Sequence, residues 1–221
     1  MGSLPVLEYW KIRGLAQAIR LLFHYLGQEY VEELYEAGGP PDFSREPWLK
    51  HKFNKGLDFP NLPYLIDDGF KITQSGAILE YVADKHGMLP TSAKERAVLH
   101  MLQNELSGFR ASYGRLVYNP DFSKLKQGFL DELPQKLRLW SNYLGDKQWL
   151  TGDKIQYPDF NLYDFLDALQ NLEPSCLKDF PNLQRYMKRF EDLDKIKEFQ
   201  KSDAYIAHPF NNTVAAWRGD A

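Results

Sequence analysis

The sequence predicts a small α/β layer at the N-terminus joined to a larger all-helical region, with the change of character near residue 90. Three observations carry this. Short β-rich runs alternate with helical patterns only before that point, and three-to-four spacing of apolar residues is sustained over long stretches only after Pro90. The early elements also fall in the order βαβ, then α, then ββα. Residues 1–88 are therefore read as one domain and residues 89–221 as a second.

In the N-terminal domain, Leu4 to Trp10 reads as a strand, and Leu15, Ile19, Leu22 and Leu26 make one face of a helix that Gly27 ends. Tyr30 to Tyr35 alternates as a second strand, Gly38-Gly39-Pro40-Pro41 makes a loop, and Arg45 to Phe53 reads as a short irregular helix. Tyr64 to Ile66 and Phe70 to Thr73 flank Asp67-Asp68-Gly69, a hairpin turn signal, and Ser75 is placed to cap a helix running to about Lys85. This order is compatible with a thioredoxin-like layer, in which a right-handed crossover makes the first two strands parallel and the hairpin completes the sheet.

After Pro90 the strand signals stop. Val98, Met101, Leu102, Leu106, Phe109, Tyr113 and Leu116 trace a long helix that Asn119-Pro120 ends. Leu125, Phe129, Leu133, Leu137, Trp140 and Leu144 trace another, with Pro134 as an expected kink and Gly145 as C-cap. Shorter helices follow over about 158–172, 181–193 and 195–201.

Lys plus Arg number 27 against 30 for Asp plus Glu, a net charge of −3 without long like-charge blocks, so no nucleic-acid partner is expected. With 43% hydrophobic and 26% charged residues the chain should fold rather than stay disordered. No apolar run nears the roughly 20 residues that span a bilayer, and Met1-Gly2-Ser3-Leu4-Pro5 lacks a signal peptide's charged start and apolar stretch. A cytoplasmic protein with no membrane partner is expected. Met1-Gly2 reads as a plain start or a cloning remnant, because Val6 stands where acylation requires Ser or Thr. The single Cys176 excludes an internal disulfide framework, a Cys-x-x-Cys pair and a multi-cysteine zinc site. The five histidines show no metal-ligand spacing, so no metal is expected.

Periodicity ends there, and specific strings carry the functional reading. Tyr9-Trp10-Lys11-Ile12-Arg13-Gly14-Leu15, Pro47-Trp48-Leu49-Lys50-His51-Lys52-Phe53, Asp58-Phe59-Pro60-Asn61-Leu62-Pro63-Tyr64 and Thr73-Gln74-Ser75 resemble, in order, the cytosolic glutathione S-transferases of the mu class. The resemblance continues through Asp84-Lys85-His86-Gly87, Tyr118-Asn119-Pro120 and Phe180-Pro181-Asn182-Leu183, and the loop from Tyr35 to Asp42 looks like the mu-class insertion. It implies a glutathione-binding N-terminal domain, a helical domain contributing the electrophile site, glutathione as co-substrate with no cofactor, and conjugation of its thiolate to hydrophobic electrophiles in detoxification.

On that resemblance Tyr9 is the catalytic residue, its hydroxyl hydrogen-bonding to the sulfur. Lowering a thiol pKa from about 8.5 by about two units takes roughly 2.7 kcal/mol, and one hydrogen bond to a charged group contributes about 1.5–3 kcal/mol, so one hydroxyl can supply most of it. Taken alone, Tyr9 is a packing aromatic at a strand end. Arg45, Trp48 and Lys52, three and four apart, can share a helix face and direct two cations and an indole donor at the glycyl carboxylate. Gln74 and Ser75 sit where a strand meets a helix N-terminus, whose free N–H groups suit the γ-glutamyl carboxylate. Asn61, Leu62 and Pro63 resemble the cis-proline turn that meets the cysteinyl moiety. Trp10 and Leu15 complete the implied glutathione set. Trp10, Ile12, Leu15 and Tyr118 are the implied electrophile lining, with Tyr118 able to bond a leaving or epoxide oxygen.

Phe59 matches the aromatic key that enters a partner subunit, so a homodimer is implied. Departures qualify the match: Gly108 stands where many members carry an acid that reaches the partner's glutathione, and Gln156 replaces the usual Ser or Thr cap before Asp159. The tail around Phe210, Asn211 and Asn212 also differs, which leaves substrate choice open. Asn211-Asn212-Thr213 and Arg218-Gly219-Asp220 spell a sequon and an integrin tripeptide, both read as coincidence. A non-catalytic carrier of apolar ligands on the same fold is the alternative. A thiol-disulfide oxidoreductase is disfavoured, since no cysteine stands near Tyr9.

Overall fold

A computed structural model describes residues 3–220; Met1, Gly2 and Ala221, and with them the question of N-terminal acylation, lie outside the described residues. The elements are β1 (Val6–Trp10), α1 (Gln17–Leu26), β2 (Val31–Tyr35), α2 (Glu46–Lys52), β3 (Tyr64–Asp67), β4 (Phe70–Thr73) and α3 (Ser75–Lys85). They are followed by α4 (Ala93–Val117), α5 (Phe122–Leu144), α6 (Tyr157–Leu172), α7 (Pro181–Glu191) and α8 (Asp194–Gln200).

β1 pairs in parallel with β2, Val6 beside Val31 and Trp10 beside Tyr35, and antiparallel with β3; β4 joins β3 antiparallel, giving the order β2-β1-β3-β4. Parallel neighbours need a crossover, and α1 provides it. The β3–β4 hairpin closes through Asp68 and Gly69 at φ +49° and +82°, the mirror-type turn whose twist matches the strands. This is the expected thioredoxin-like layer.

α6 lies at the centre of the helical region, packed against α1, α3, α4 and α7, and Tyr157 through Leu166 are all buried. A helix enclosed on every side reads as apolar nearly all round, which is why it carries Phe160, Leu162, Tyr163, Phe165 and Leu166 in close succession. One apolar core runs from Leu7 and Leu22 beside the sheet through α3, α4 and α6 to Phe190 and Phe199. Asp159 anchors the start of α6: its carboxylate accepts from Leu150 N (3.0 Å), Gln156 N (2.8 Å) and Tyr186 Oη (3.1 Å). The bond from Gln156 N to Asp159 is the half of the capping box that reaches back to the N-cap, and it is made; the Gln156 side-chain oxygen is buried without a hydrogen-bond partner.

Several boundaries differ from the expectations for definite reasons. Leu15 lies outside α1, 43% exposed, because Arg13 to Ala16 form a turn that precedes the helix. Ser75 is the first residue of α3, not its cap; Gln74 takes the cap position at φ 72°. Arg45 likewise caps α2 from outside it, β1 starts at Val6, and Tyr30 leaves the strand to stack on Phe23 at 4.6 Å. Met101 and Leu125 are 53% and 45% exposed, so apolar spacing placed them on buried faces that do not extend to them. α5 continues through Pro134.

Candidate functional site

β1 delivers Tyr9 to the end of a strand, and the following turn folds back over its ring. Leu15 N–H donates to Tyr9 Oη at 3.0 Å. A Cβ on Gly14 would stand 2.5 Å from that oxygen and 2.7 Å from Cε1, with the backbone at φ +45°, so only glycine satisfies both the left-handed conformation and the approach. Among the described residues no acceptor takes the Tyr9 hydroxyl hydrogen, which leaves one donor to give. Burial pushes the Tyr9 pKa up to about 12 against the opposing pull of the Leu15 amide, so the group stays protonated at neutral pH.

Three arginines, Arg13 and Arg20 buried and Arg110 partly buried, hold this turn. Arg20, on α1, donates to Ile12 O (2.9 Å) and to Glu32 (2.6 Å). Arg13 reaches into the helical region, to Asp164 at 2.8 Å and Asp167 at 2.6 Å, with its guanidinium 4.1 Å from the Phe210 ring centre. Arg110 on α4 closes the set, donating to Asp164 (2.9 Å), Asn161 Oδ1 (3.1 Å) and Gly14 O (3.0 Å). Each Asp164 oxygen therefore meets a different guanidinium, and the Tyr9 turn is tied to two helices that belong to the other half of the fold.

The C-terminal tail covers the remaining side. Pro209 O and Phe210 O accept from Arg13 N and Gly14 N, each at 3.0 Å. Asn211 Nδ2 donates to Tyr113 Oη (3.0 Å) and Trp217 O (3.1 Å), so the sequon's acceptor side chain is buried and engaged. Asn212 N donates to Tyr118 Oη at 2.9 Å, and Thr213 Oγ1 to Gly38 O at 2.9 Å, tying the tail to the loop after β2.

Between these elements lies a cavity of about 700 Å³ reached by Tyr9, Leu15, Gln74, Ser75 and Tyr118. Four expected site residues from β1, the α1 turn and the α3 start thus converge with Tyr118 of the α4 end. Trp10 and Ile12 do not line the cavity: Ile12 is buried with Tyr9, Ala16, Trp48 and Leu62, and Trp10 packs against that cluster. Trp48 and Leu62 belong to that cluster with Tyr9 and do not line the cavity. Arg45 is exposed and Lys52 half-buried beside them; neither carries an ion pair among the described residues. The Leu62-Pro63 bond is cis, and Asn61 Oδ1 accepts from Leu62 N at 3.0 Å. Phe59 is 78% exposed.

The sequence reading missed Arg110, Asp164 and the packing role of Gly14. A charged residue inside an otherwise apolar helical stripe was the available signal, as Arg110 lies between Phe109 and Tyr113, and Asp164 between Tyr163 and Phe165. Among the described residues no cluster of His, Cys, Asp and Glu is arranged to hold a metal, and no helix is long and apolar enough to cross a membrane.

Sequence and structural comparisons agree with this architecture. The N-terminal domain model of glutathione S-transferases matches residues 5–84, and the C-terminal domain model matches residues 107–203. The chain therefore belongs to the glutathione S-transferase family. Within it the match is to the mu class: the class-mu 26 kDa isozyme 51 of Fasciola hepatica is 49% identical over 213 residues, covering 96% of this chain and 95% of that protein. Glutathione S-transferase Mu 1 of Bos taurus is 47% identical over 212 residues, 96% of this chain and 97% of its own. Among solved structures, the glutathione S-transferase Blo t 8 superposes with a TM-score of 0.87 at 32% identity, covering 96% of this chain and 99% of that one. The pi-class enzyme of Onchocerca volvulus superposes at 0.85 with 27% identity, covering 96% and 100%.

Proposed function

We propose that this chain conjugates reduced glutathione to hydrophobic electrophiles, with Tyr9 as the residue that stabilises the thiolate. The observation that carries the reading is the Tyr9 hydroxyl: buried, protonated, fixed by the Leu15 amide, and facing the cavity with its hydrogen unassigned. A thiol placed there loses its proton to solvent, and the sulfur anion accepts the Tyr9 hydrogen bond. The thiolate then forms a carbon–sulfur bond to the electrophile as the leaving group departs or an epoxide opens; no redox step is needed. Glutathione acts as a substrate, with no resident cofactor.

The remaining site assignments follow from position. The unpaired cations of Arg45 and Lys52, beside the Trp48 indole, take the glycyl carboxylate; Asn61, Leu62 and Pro63 meet the cysteinyl backbone; Gln74 and the α3 N-terminus take the γ-glutamyl end with Ser75. Leu15 and Tyr118 line the electrophile space, and Trp10 and Ile12 support it from the neighbouring cluster. A boundary between residues 88 and 89 assigns glutathione to the N-terminal domain and the electrophile to the helical domain. The exposed Phe59 is the contact for a second copy in a homodimer, and the protein works in the cytoplasm. No observation favours a carrier without chemistry.

Replacing Tyr9 with Phe tests the assignment in a conjugation assay with a chromogenic aryl halide, alongside retention on immobilised glutathione. Loss of one hydrogen bond to an anion, about 1.5–3 kcal/mol, lowers turnover by roughly one to two decades while retention persists. Unchanged turnover in that variant removes Tyr9 from the role.

A further inference from the structure

Glu8 is a buried carboxylate that the proposed chemistry leaves unused. It is 1% exposed on β1, next to Tyr9 in sequence but on the opposite face of the sheet, because successive strand residues alternate. The strand register sets Glu33 of β2 and Tyr64 of β3 beside it. Carboxylates on paired strands repel, and Lys55 meets both, its Nζ 2.7 Å from Glu8 Oε1 and 3.8 Å from Glu33 Oε2. The second Glu8 oxygen accepts from Tyr35 Oη at 2.6 Å. Tyr35 ends β2 and Lys55 lies just beyond α2, so one buried carboxylate joins the chain entering the α2 segment to the chain leaving it. Among the described residues the segment between them, residues 36–54, has few other ties. α2 buries only Trp48, and the side-chain bonds that reach the rest from outside, Lys11 to Glu36 and Thr213 to Gly38, fall ahead of the helix. Tyr35 itself packs on Trp48, ring centres 5.5 Å apart, and Lys71 Nζ donates to Lys55 O at 2.7 Å.

We propose that Glu8 is a positioning residue for glutathione: with Tyr35 and Lys55 it clasps both ends of the α2 segment to the sheet, and so fixes Arg45, Trp48 and Lys52 where the glycyl carboxylate binds. The inference rests on the glutathione reading above and adds to it the device that holds that part of the site together. A short helix that buries one side chain opens locally at little cost, and a ligand binds it only in the fraction of molecules where it is closed. Joining the segment at its base confines it before the ligand arrives. The burial of Glu8 is what gives the clasp its effect. An ion pair at the surface contributes little, whereas a carboxylate with 1% exposure that loses Lys55 or Tyr35 has no water to replace them. Releasing either end of the segment therefore strands part of a buried charge.

The test uses Glu8→Gln, which keeps an acceptor for Tyr35 and loses the ion pair, with Lys55→Met as a second variant, at a side chain 22% exposed, should the first misfold. Two measurements are made on each. Amide hydrogen exchange in residues 36–54 should quicken by about tenfold or more against the native chain, while exchange in α4 and α6 changes less. Conjugation kinetics compare glutathione with γ-glutamylcysteine, which lacks the glycyl residue. The KM for glutathione should rise by about three- to tenfold with kcat retained, and the KM for the dipeptide should hold within about twofold, so the preference for the tripeptide shrinks. The double variant should lose no more than the greater single loss, since the pair acts as one. Unchanged exchange in residues 36–54, or equal KM losses for both thiols, overturns the role of Glu8. If the native chain conjugates glutathione in a Tyr9-dependent manner and prefers it to the dipeptide while both variants behave as native, only this inference fails. If the native chain shows no such preference, the assignment of Arg45, Trp48 and Lys52 fails and the positioning role with it.

Discussion

Gly14→Ala is the perturbation whose effect the structure determines most closely. Alanine at φ +45° adopts a left-handed conformation that costs an L-residue about 1–2 kcal/mol. Its methyl also arrives 2.5 Å from Tyr9 Oη and 2.7 Å from Cε1, and neither the ring nor the turn can give freely. The ring is buried, and the turn is held by Arg110 on Gly14 O and by Phe210 O on Gly14 N, both at 3.0 Å. Forcing an extra methyl into such packing costs typically about 1–3 kcal/mol, so the sum is about 2–5 kcal/mol. For a chain of this length each kcal/mol moves the melting midpoint by roughly 2–4 °C, so a central value of about 3 kcal/mol lowers it by roughly 6–12 °C. The displaced Tyr9 hydroxyl no longer meets the sulfur, and kcat/KM falls by about one to two decades, the same loss as in Tyr9→Phe. The two losses share one cause. In a Tyr9→Phe background Gly14→Ala should therefore lower conjugation little further, a non-additivity that calorimetry and steady-state kinetics on the two single variants and the double variant would read. Native melting together with native turnover in Gly14→Ala would refute the argument that this glycine is required by the approach of Tyr9.

Three further predictions follow from the same geometry. Tyr9, held up to about 12 by burial, does not titrate near neutrality, so the midpoint in the pH dependence of conjugation belongs to the bound thiol; activity rises with pH through it, and in Tyr9→Phe it moves up by about one to two units, while an unmoved midpoint counts against the thiolate role. Asp164→Leu leaves Arg13 and Arg110 without their shared carboxylate, and urea unfolding should register a loss of about 3–5 kcal/mol; a loss below about 1 kcal/mol would mean that Asp167 alone satisfies the site. Phe59→Glu puts a charge on an apolar side chain that is 78% exposed, and light scattering should show a native dimer replaced by monomer; a native monomer, or a dimer in the variant, removes Phe59 from the interface.

Local patterns carried much of the fold. Period-two runs, the Asp67-Asp68-Gly69 turn and Gly27 as a left-handed helix end at φ 69° act over a few residues, so they are legible without knowledge of what packs on them. Burial faces were less legible where an element outruns its neighbours. Met101 and Leu125 continue apolar stripes past the end of the packing surface, and no periodicity marks that end. Leu15 fits the stripe of α1 but belongs to a turn, because the turn is held by bonds from Arg20, Arg110 and the tail, all distant in sequence.

The site divides in the same way. Tyr9, Gln74, Ser75 and the Asn61-Leu62-Pro63 turn were named from strings of neighbouring residues, because each string serves its purpose locally: a strand end, a helix start, a proline turn. Residue order alone was enough for the succession of elements, the resemblance to the family and the residue types available for binding a thiol peptide. Packing was needed to establish that Asp164 is shared by two arginines, that Gly14 must be glycine because of Tyr9, and that the tail covers the cavity. Those relations join residues as far apart as Gly14 and Arg110. They depend on which faces of α1, α3, α4 and α6 meet, and that is settled only when the whole core packs.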